Sequence, residues 1–272
     1  MDRETVTLSG APETLLATLY GRALDSRASR SILHDDAAER AVRRIDYDFR
    51  RTGITATTAA GVALRARQLD GWTRQFLAAH PEATVLHLAC GLDTRAQRLA
   101  AGPSVRWVDV DHPEVIALRE RLLDPPEGDY RMVAASVTDE GWLDDVPADR
   151  PTVAVFEGLT MYLRKSDGRR LIERITGRFP SGELLFDCYG TAGIRLQKLV
   201  PAVRRSGATL HWAIDDPCEL EGWQDGLVLT DALRSVDMPG MDLLPRAGRV
   251  QMAVLARMPG LRDVGRILRY RF

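Results

Sequence analysis

Residues 84–95, TVLHLACGLDTR, run from a short apolar segment through a glycine turn into the start of a helical pattern. The apolar and partly β-branched residues 84–89 are typical of a short buried strand. Gly91 would let the backbone turn tightly and approach a ligand closely. The loop has neither the GxGxxG fingerprint nor the lysine of a Walker loop. By itself it therefore fits a ligand site and an ordinary strand-to-helix turn alike.

The alternation of strand and helix continues well beyond this loop. Strands that alternate with helices predict right-handed crossovers and a parallel sheet with helices on both faces. We therefore expect an α/β fold of the Rossmann-like type, formed as a single domain over residues 1–272. Apolar runs predict further strands at residues 105–109, 130–134, 152–157 and 183–187, and helical patterns lie at 93–101, 113–123 and 165–178.

The N-terminal part of the chain precedes this alternation and is helical in pattern. Apolar residues at helical spacing predict helices within residues 12–24, 36–51 and 57–80. These helices are expected to form a cover, residues 1–81, over the sheet-containing core at residues 82–190.

The C-terminal part departs from the alternation in another way. Residues 191–225 have the pattern of a helix followed by an irregular insertion. Within residues 226–272, the segments 227–235 and 249–256 predict two last strands joined only by a loop, and strands joined in this way are antiparallel. The basic segment 261–272 is expected to be a docked tail, with an anion site as the alternative.

The composition excludes several classes of protein. A formal net charge of −1 gives no basic field for nucleic acid or an anionic membrane, so neither is expected as a partner. No apolar run reaches the roughly 18 residues of a membrane span, and residues 1–10 lack the apolar stretch of a signal peptide. Cys90, Cys188 and Cys218 form no CxxC pair, which argues against a disulfide framework and a metal centre. We expect a cytoplasmic protein that binds no metal.

Acidic residues follow the predicted strands at the points where ligands bind. In an open α/β sheet, ligands lie beyond the carboxyl ends of the strands, where the strand order reverses. Asp109 and Asp111 end the second strand, at a distance from Gly91 that suits the ribose of a nucleoside. Asp111 also precedes His-Pro-Glu, a good helix start, so one acid could cap that helix while the other binds ribose.

Two further loops leave a similar choice open. Residues 135–139 could border an adenine ring or merely cap a helix. Glu157 follows a buried strand, where a carboxylate needs a partner such as arginine or a cleft that holds a cationic ligand. Glycine or acids after three strands together favour an adenosine-containing cofactor. The absence of the second and third glycines favours S-adenosylmethionine over a dinucleotide.

Several segments also resemble a known family. Residues 88–99 (LACGLDTRAQRL), 109–118 (DVDHPEVIAL) and 156–163 (FEGLTMYL) resemble motifs of the leucine carboxyl methyltransferase family. The resemblance implies a class I methyltransferase fold, with a mostly parallel seven-stranded sheet, an antiparallel last strand and a helical N-terminal cover. The segments 12–30, 214–223 and 265–272 resemble the family's bacterial polyketide O-methyltransferases of the tetracenomycin-pathway type.

The resemblance implies S-adenosyl-L-methionine as cofactor. Arg65 falls where the family's arginine meets the methionine carboxylate, and Asp111 matches the ribose acid. Ala89 stands where the family has its first loop glycine, and Ser136 replaces an acid beside the adenine. The predicted cofactor-binding residues are Arg65, Gly91, Asp109, Asp111, Ser136, Val137 and Glu157.

The implied reaction is methyl transfer to a carboxyl or hydroxyl oxygen. A carboxylate is already ionised at neutral pH, whereas a phenol would benefit from a general base. His211 lies in the insertion that is expected to form a substrate wall, and it is the candidate base. The candidate substrate residues are Tyr20, Arg22, Tyr162, His211 and Trp212, although helix packing and surface charge are alternative roles for the first three.

We therefore interpret the chain as an S-adenosylmethionine-dependent O-methyltransferase of a small, polyketide-like metabolite, acting in secondary-metabolite biosynthesis. Two alternatives remain. Ala89 and Ser136 leave open a non-methylating activity on the same fold, such as a cyclisation. The second alternative is a protein carboxyl methyltransferase, because the family also contains such enzymes. The sequence does not predict the oligomeric state.

Overall fold

The computed structural model describes residues 3–6, 14–199, 203–204 and 207–272. A short parallel pairing joins β1 (Glu4–Thr5) to β2 (Ile45–Asp46). The main sheet contains β3 (Thr84–Leu88), β4 (Arg106–Asp111), β5 (Asp129–Ala134), β6 (Thr152–Phe156), β7 (Gly182–Tyr189), β8 (Val228–Arg234) and β9 (Gly265–Arg271). Their spatial order is β5-β4-β3-β6-β7-β9-β8.

The sheet has the predicted direction pattern. Strands β3 to β7 pair in parallel, and β9 runs antiparallel to both β7 and β8. Leu88 of β3 pairs with Val110 of β4 and with Phe156 of β6. The residues that follow these three strands therefore leave the sheet at one level, and the strand order reverses between β4 and β6 on either side of β3. The α/β fold with a seven-stranded sheet is confirmed.

The helices flank the sheet and cover its edge. They are α1 (Thr14–Ser26), α2 (Asp36–Arg44), α3 (Ala56–Ala79), α4 (Arg95–Leu99), α5 (Pro113–Leu122), α6 (Lys165–Arg178), α7 (Thr191–Arg195) and α8 (Arg246–Arg257). Thr55 caps α3 by accepting a hydrogen bond from the Thr58 amide. Across the described ranges, no helix combines the length and the apolar character that crossing a bilayer requires.

Alternating residues of the central strands build two separate cores. Leu86 and Phe156 face the side of the sheet on which α6 packs, in a cluster that includes Ile172. Val85 and Val155 face the other side and pack against α3. Such alternation is what a strand with both faces covered requires, since successive side chains point to opposite faces.

The helical N-terminal cover reaches the loop after β3. Helices α1 and α2 share an apolar cluster in which Leu16, Leu19 and Val42 are buried. Leu92, four residues beyond the end of β3, belongs to this same cluster and is 1% exposed. The cover therefore packs directly on the loop after β3.

The predicted helix over residues 36–51 is too long. Helix α2 ends at Arg44, because Ile45 adopts an extended conformation and pairs with β1. Asp48 then caps a single turn at Phe49–Thr52. Ile45 is 2% exposed, so burial of its side chain stabilises the break.

The prediction for the C-terminal region is partly wrong. Strand β8 lies where it was predicted, but residues 249–256 belong to α8, so a helix and not a loop precedes the last strand. The expected tail contains that last strand, β9, and it occupies an interior position of the sheet. Its basic residues are accommodated because Arg269 pairs with Glu183 of β7, while Leu268 and Tyr270 are fully buried.

Candidate functional site

A cavity of about 590 Å³ opens at the carboxyl edge of the parallel strands. The loops after β3, β4, β5 and β6 line it, together with residues of α1 and α3. Six of the seven predicted cofactor-binding residues meet in this lining, namely Arg65, Gly91, Asp111, Ser136, Val137 and Glu157.

The loop after β3 has an unusual backbone. Ala89 and Gly91 both adopt left-handed conformations, with φ of 49° and 50°. Glycine adopts this conformation readily, whereas an alanine there is strained. The loop of this chain therefore takes the left-handed shape at position 89 even though a methyl group is present, and Ala89 lines the cavity.

Asp111 joins the end of β4 to this loop. Its Oδ2 accepts a hydrogen bond from the Gly91 amide at 2.7 Å, and its Oδ1 accepts one from the His112 amide at 2.7 Å. Burial raises the pKa of Asp111, and the two amides offset part of that effect. Two carboxylate oxygens have about four acceptor positions between them, so this acid can still accept hydrogen bonds from a ligand in the cavity.

Asp109 does not lie in the described lining, and the prediction that it binds ribose is corrected. It is completely buried and accepts hydrogen bonds from Trp107 Nε1 (2.8 Å) and the Tyr130 hydroxyl (2.7 Å). Arg119 Nη2 donates to it at 2.6 Å, and His87 Nδ1 lies 2.9 Å away. The physical reason is position along the strand: Asp109 and Asp111 share one face of β4, but Arg119 and His87 enclose Asp109 whereas Asp111 ends the strand.

Arg65 and Glu157 form one ionic cluster in the cavity wall. Arg65 Nε donates to Glu157 Oε1 at 3.0 Å, and its Nη1 donates to Asp187 at 2.7 Å. Arg95 Nη2 donates to Glu157 Oε2 at 2.7 Å. Burial acts to raise the pKa of Glu157, but Arg65 and Arg95 outweigh it and lower the pKa. Glu157 therefore has arginine partners and also faces the cleft, so the pairing with arginine and the contact with the ligand space, predicted as alternatives, occur together.

The loop after β5 is held mainly by its own polar groups. The Ser136 amide donates to Asp139 Oδ2 at 3.0 Å, and the hydroxyls of Ser136 and Thr138 are 2.8 Å apart. Arg174 Nη2 donates to the carbonyl of Val137 at 2.6 Å. Ser136 and Val137 both line the cavity. The loop is therefore stabilised by its own hydrogen bonds and also borders the ligand space.

Three of the predicted substrate residues line the cavity, but their settings differ. His211 is exposed in the lining, and its backbone amide donates to Met161. Tyr162 is partly buried there, and burial raises the pKa of its phenol. Arg22 is 2% exposed; its guanidinium pairs with Asp35 and donates to the Leu92 carbonyl, so it supports the loop after β3.

Tyr20 and Trp212 are not part of the described lining, and their predicted contact with substrate is corrected. Tyr20 stacks on Phe49 at 5.1 Å between ring centroids, as part of the helical cover. Trp212 is 4% exposed and stacks on Trp223 at 5.7 Å, in the core beside α6. Both rings are used for packing, which was the alternative role stated for Tyr20.

Tyr189 is a cavity residue that the sequence analysis missed. Strand β7 extends two residues beyond the predicted 183–187 and ends at Tyr189. Gly193 and Gly265 clear space for its ring, since a Cβ at Gly193 would lie 3.0 Å from Tyr189 Cβ and one at Gly265 3.4 Å from Cδ1. The hydroxyl forms no hydrogen bond within the described part of the chain. The FDCYG pattern, a tyrosine between a strand and a glycine, was the available signal.

These residues fit the cofactor that the sequence predicts. The cavity lies within the roughly 300–1,000 Å³ typical of small-molecule sites. Among the residues that the structure describes, Asp111 has no basic hydrogen-bond partner, so its free acceptor positions suit ribose hydroxyls. Arg65 and Glu157 place a basic and an acidic group side by side in the lining, which suits a ligand that carries a carboxylate and an ammonium group.

Comparison with known sequences identifies close relatives. A profile of the Leucine carboxyl methyltransferase family matches residues 15–176. The chain is 46% identical over 272 residues to the tetracenomycin polyketide synthesis O-methyltransferase TcmP of Streptomyces glaucescens, with 99% of each chain covered. It is 40% identical over 247 residues to the S-adenosyl-L-methionine-dependent methyltransferase dpfgK of Gibberella zeae, with 84% of this chain and 83% of that protein covered.

Solved structures show the same fold at low sequence identity. A DUF574 family protein from Streptomyces avermitilis superposes with a TM-score of 0.59 at 15% identity, over 93% of this chain and 96% of that one. A putative methyltransferase from Thermobifida fusca superposes with a TM-score of 0.58 at 18% identity, over 97% and 94% of the two chains.

Proposed function

Because the chain belongs to the leucine carboxyl methyltransferase family, we propose that its methyl acceptor is a carboxyl or phenolic oxygen of a small, polyketide-like metabolite. The enzyme class and the cofactor follow from the family. The protein is an S-adenosyl-L-methionine-dependent O-methyltransferase. The relative that covers 99% of the chain is named an O-methyltransferase, and the one that covers 84% is named an S-adenosyl-L-methionine-dependent methyltransferase.

One observation carries the assignment of the cofactor site. The acid at the end of β4 and the glycine loop after β3 are joined by the hydrogen bond from Gly91 to Asp111, at the edge where the strand order reverses. A nucleoside bound here would meet an acid with free acceptor positions and a tight backbone turn at the same place. Arg65, Ser136, Val137 and Glu157 complete the proposed cofactor site from α3, the loop after β5 and the end of β6.

The chain's own contribution to the reaction is placement and exclusion of water. S-adenosylmethionine supplies a methyl group whose bond to sulfur breaks as the bond to the acceptor oxygen forms. The protein must hold that oxygen in line behind the methyl group, which is mainly a proximity effect. The cover helix α1 and the segment around Met161 and Leu210 close the cavity and keep it apolar on the acceptor side.

The acceptor side offers neutral hydrogen-bonding groups. Burial raises the pKa values of Tyr162 and Tyr189, so both phenols stay protonated at neutral pH and can donate to an acceptor oxygen. A carboxylate acceptor needs no base, whereas a phenol would need one and His211 lies in reach of the cavity. We propose Tyr162, Tyr189 and His211 as the residues that face the acceptor.

The proposal extends to the setting of the reaction. We propose a small molecule as the partner in the reaction, because residues of a single chain line the cavity. Three free cysteines, two of them buried, support a reducing location such as the cytoplasm. The relative TcmP is named for tetracenomycin polyketide synthesis, which supports a polyketide as the acceptor class.

Two measurements test the proposal. Calorimetric titration with S-adenosylhomocysteine should show one site per chain, and no heat of binding at millimolar ligand would overturn it. Incubation with methyl-labelled S-adenosylmethionine and 1-hydroxy-2-naphthoic acid should move label into the small molecule. Mild alkali then separates a labile methyl ester from a stable methyl ether, and label found only in protein would contradict the acceptor class.

A further inference from the structure

Three successive carbonyl groups of the loop after β3 are bound by buried arginines. Arg119 Nη1 donates to the carbonyl oxygens of Gly91 at 3.1 Å and of Asp93 at 2.5 Å. Arg22 Nη2 donates to the carbonyl of Leu92, which lies between them, at 3.1 Å. The loop is therefore held through its backbone by side chains of α5 and α1.

Arg119 is itself rigidly placed. It is 1% exposed, and its Nη2 donates to Asp109 at 2.6 Å. Asp109 in turn is fixed by Trp107 and Tyr130. Burial acts to raise the pKa of Asp109, but Arg119 and His87 lower it, so the carboxylate remains charged opposite the guanidinium. The guanidinium binds Asp109 through one nitrogen and both carbonyls through another, whereas the single nitrogen of a lysine cannot occupy both positions.

The carbonyl contacts also direct the amides of the loop. In a planar trans peptide the carbonyl and the following N–H point in opposite directions. With the Gly91 carbonyl turned to Arg119, the Leu92 amide points away from Arg119, and Leu92 belongs to the cavity lining. The neighbouring Gly91 amide is already oriented by Asp111. Arg119 thus fixes the peptide planes that a bound nucleoside would approach.

We propose that Arg119 is a positioning residue for cofactor binding, with Asp109 acting through it. The inference rests on the proposed function and adds a residue that lies outside the cavity lining. The pair holds the loop in its binding shape before the cofactor arrives, so less order remains to be acquired on binding. Asp109, which the sequence placed against the ribose, contributes from behind the loop.

The wild-type protein gives the first test. Hydrogen–deuterium exchange without cofactor should show slow exchange in a peptide covering residues 89–95. Rapid exchange there that slows only when S-adenosylhomocysteine is added would overturn the inference, because the loop would then be ordered by the ligand. This measurement does not depend on any variant folding correctly.

The second test compares variants by calorimetry with S-adenosylhomocysteine. Arg119→Lys keeps the positive charge but has a single nitrogen, which cannot lie both beside Asp109 and beside the two carbonyls. We expect at least a tenfold rise in Kd and faster exchange at residues 89–95. Arg178→Lys is the matched control, because Arg178 also binds two backbone carbonyls, those of Asp144 and Val146, away from the cavity. The Kd of Arg178→Lys should stay within about threefold of wild type.

The outcomes distinguish the proposed function from the proposed role of Arg119. Wild-type protein that binds no S-adenosylhomocysteine contradicts the proposed function. Wild-type protein that binds it, together with Arg119→Lys protein that binds it equally well, contradicts only the role of Arg119. Equal loss of affinity in Arg119→Lys and Arg178→Lys would reduce Arg119 to a general structural residue and would also overturn the inference.

Discussion

Asp111 Oδ2 lies 2.7 Å from the amide nitrogen of Gly91, so the acid that ends β4 also orders the turn that follows β3. Replacement of Asp111 by alanine should therefore remove a ligand contact and release the loop together. We expect the binding of S-adenosylhomocysteine to weaken by about 1–3 kcal/mol, the range for buried polar groups left unpaired. Calorimetric titration checks this, and an unchanged affinity would remove Asp111 from the cofactor site.

The same carboxyl group predicts a change in stability with pH. Folding raises the pKa of Asp111 through burial, so ionisation of this group favours the unfolded chain. Asp111→Asn removes this titration, and its one acceptor oxygen also gives up one of the two backbone amides that the carboxylate binds. The melting temperature of Asp111→Asn relative to wild type should therefore be higher at pH 7 than at pH 4, because only the wild type loses stability as this carboxyl group ionises. Melting curves of both proteins from pH 4 to pH 8 test this sign, and a relative melting temperature that falls as the pH rises would contradict it.

Ala89 and Ala100 provide a matched pair for the strain in the cofactor loop. Both are alanines in left-handed conformations, with φ of 49° and 43°, but only Ala89 lines the cavity. Glycine at either position relieves about 1–2 kcal/mol of strain and loses about 0.5–1 kcal/mol to backbone entropy, so each variant should be more stable by roughly 1 kcal/mol. Chemical denaturation measures this gain.

Only the Ala89 variant should alter cofactor binding. Ala89→Gly removes a methyl group from the cavity wall, whereas Ala100→Gly acts at the exposed end of α4. We expect the Kd for S-adenosylhomocysteine to change in the first variant and to stay constant in the second. Equal Kd values in both variants and the wild type would show that the methyl group of Ala89 does not touch the cofactor.

Arg65 balances two buried acids, and its role in binding can be separated from its role in stability. Arg65→Met leaves Glu157 and Asp187 without this partner and should destabilise the protein by about 3–5 kcal/mol, the range for breaking a buried ion pair. The double variant Arg65→Met with Asp187→Asn removes one of the uncompensated charges and should recover much of the loss. Denaturation of both variants measures the recovery.

Cofactor affinity in the double variant then decides what Arg65 does. If Arg65 binds the carboxylate of the cofactor, affinity for S-adenosylhomocysteine should remain at least tenfold weaker despite the recovered stability. A double variant that binds as tightly as the wild type would assign Arg65 to structure alone.

Tyr189→Phe should impair binding of the methyl acceptor without changing the stability of the fold. The hydroxyl forms no hydrogen bond within the described ranges, so its removal should change the free energy of unfolding by less than about 0.5 kcal/mol. Tyr270→Phe is the control, because the Tyr270 hydroxyl donates to the Pro217 carbonyl at 2.7 Å and its loss should destabilise by about 1 kcal/mol.

The kinetic effects of these two tyrosine variants should be the reverse of their effects on stability. Methyl transfer to 1-hydroxy-2-naphthoic acid should fall at least fivefold in Tyr189→Phe, mainly through KM, with the affinity for S-adenosylhomocysteine unchanged. Tyr270→Phe should keep its activity. Unchanged kinetics in Tyr189→Phe would remove this residue from the acceptor side of the cavity.

Local pattern predicted the parallel part of the sheet because β3 and β6 are predominantly apolar runs and because helices follow β3, β4, β6 and β7. The prediction was wrong for residues 249–256, where apolar residues alternate over a few positions although the segment is helical. It was also wrong for β9, where three arginines obscure the strand. Arg269 is compatible with a sheet interior because its guanidinium binds Glu183 of β7, and such pairing across 86 residues has no local signal.

The candidate site could also be predicted only in part. Residues that end strands, such as Asp111 and Glu157, could be placed because the edge of the sheet brings them together. Asp109 and Trp212 could not, because side chains of other elements bury them: Arg119 and His87 enclose Asp109, and Trp223 stacks on Trp212. Tyr189 was missed because the length of β7 is set by its pairing with β9.

The position of β9 also bears on how the chain reaches its native state. Until β9 inserts, the hydrogen-bonding edge of β7 is open and β8 has no neighbour in the sheet. The contacts that close this gap join segments distant in sequence, and such contacts form slowly. We therefore expect refolding to pass through a species with an unpaired strand edge that self-associates at high protein concentration, and dilution or a chaperone should improve recovery.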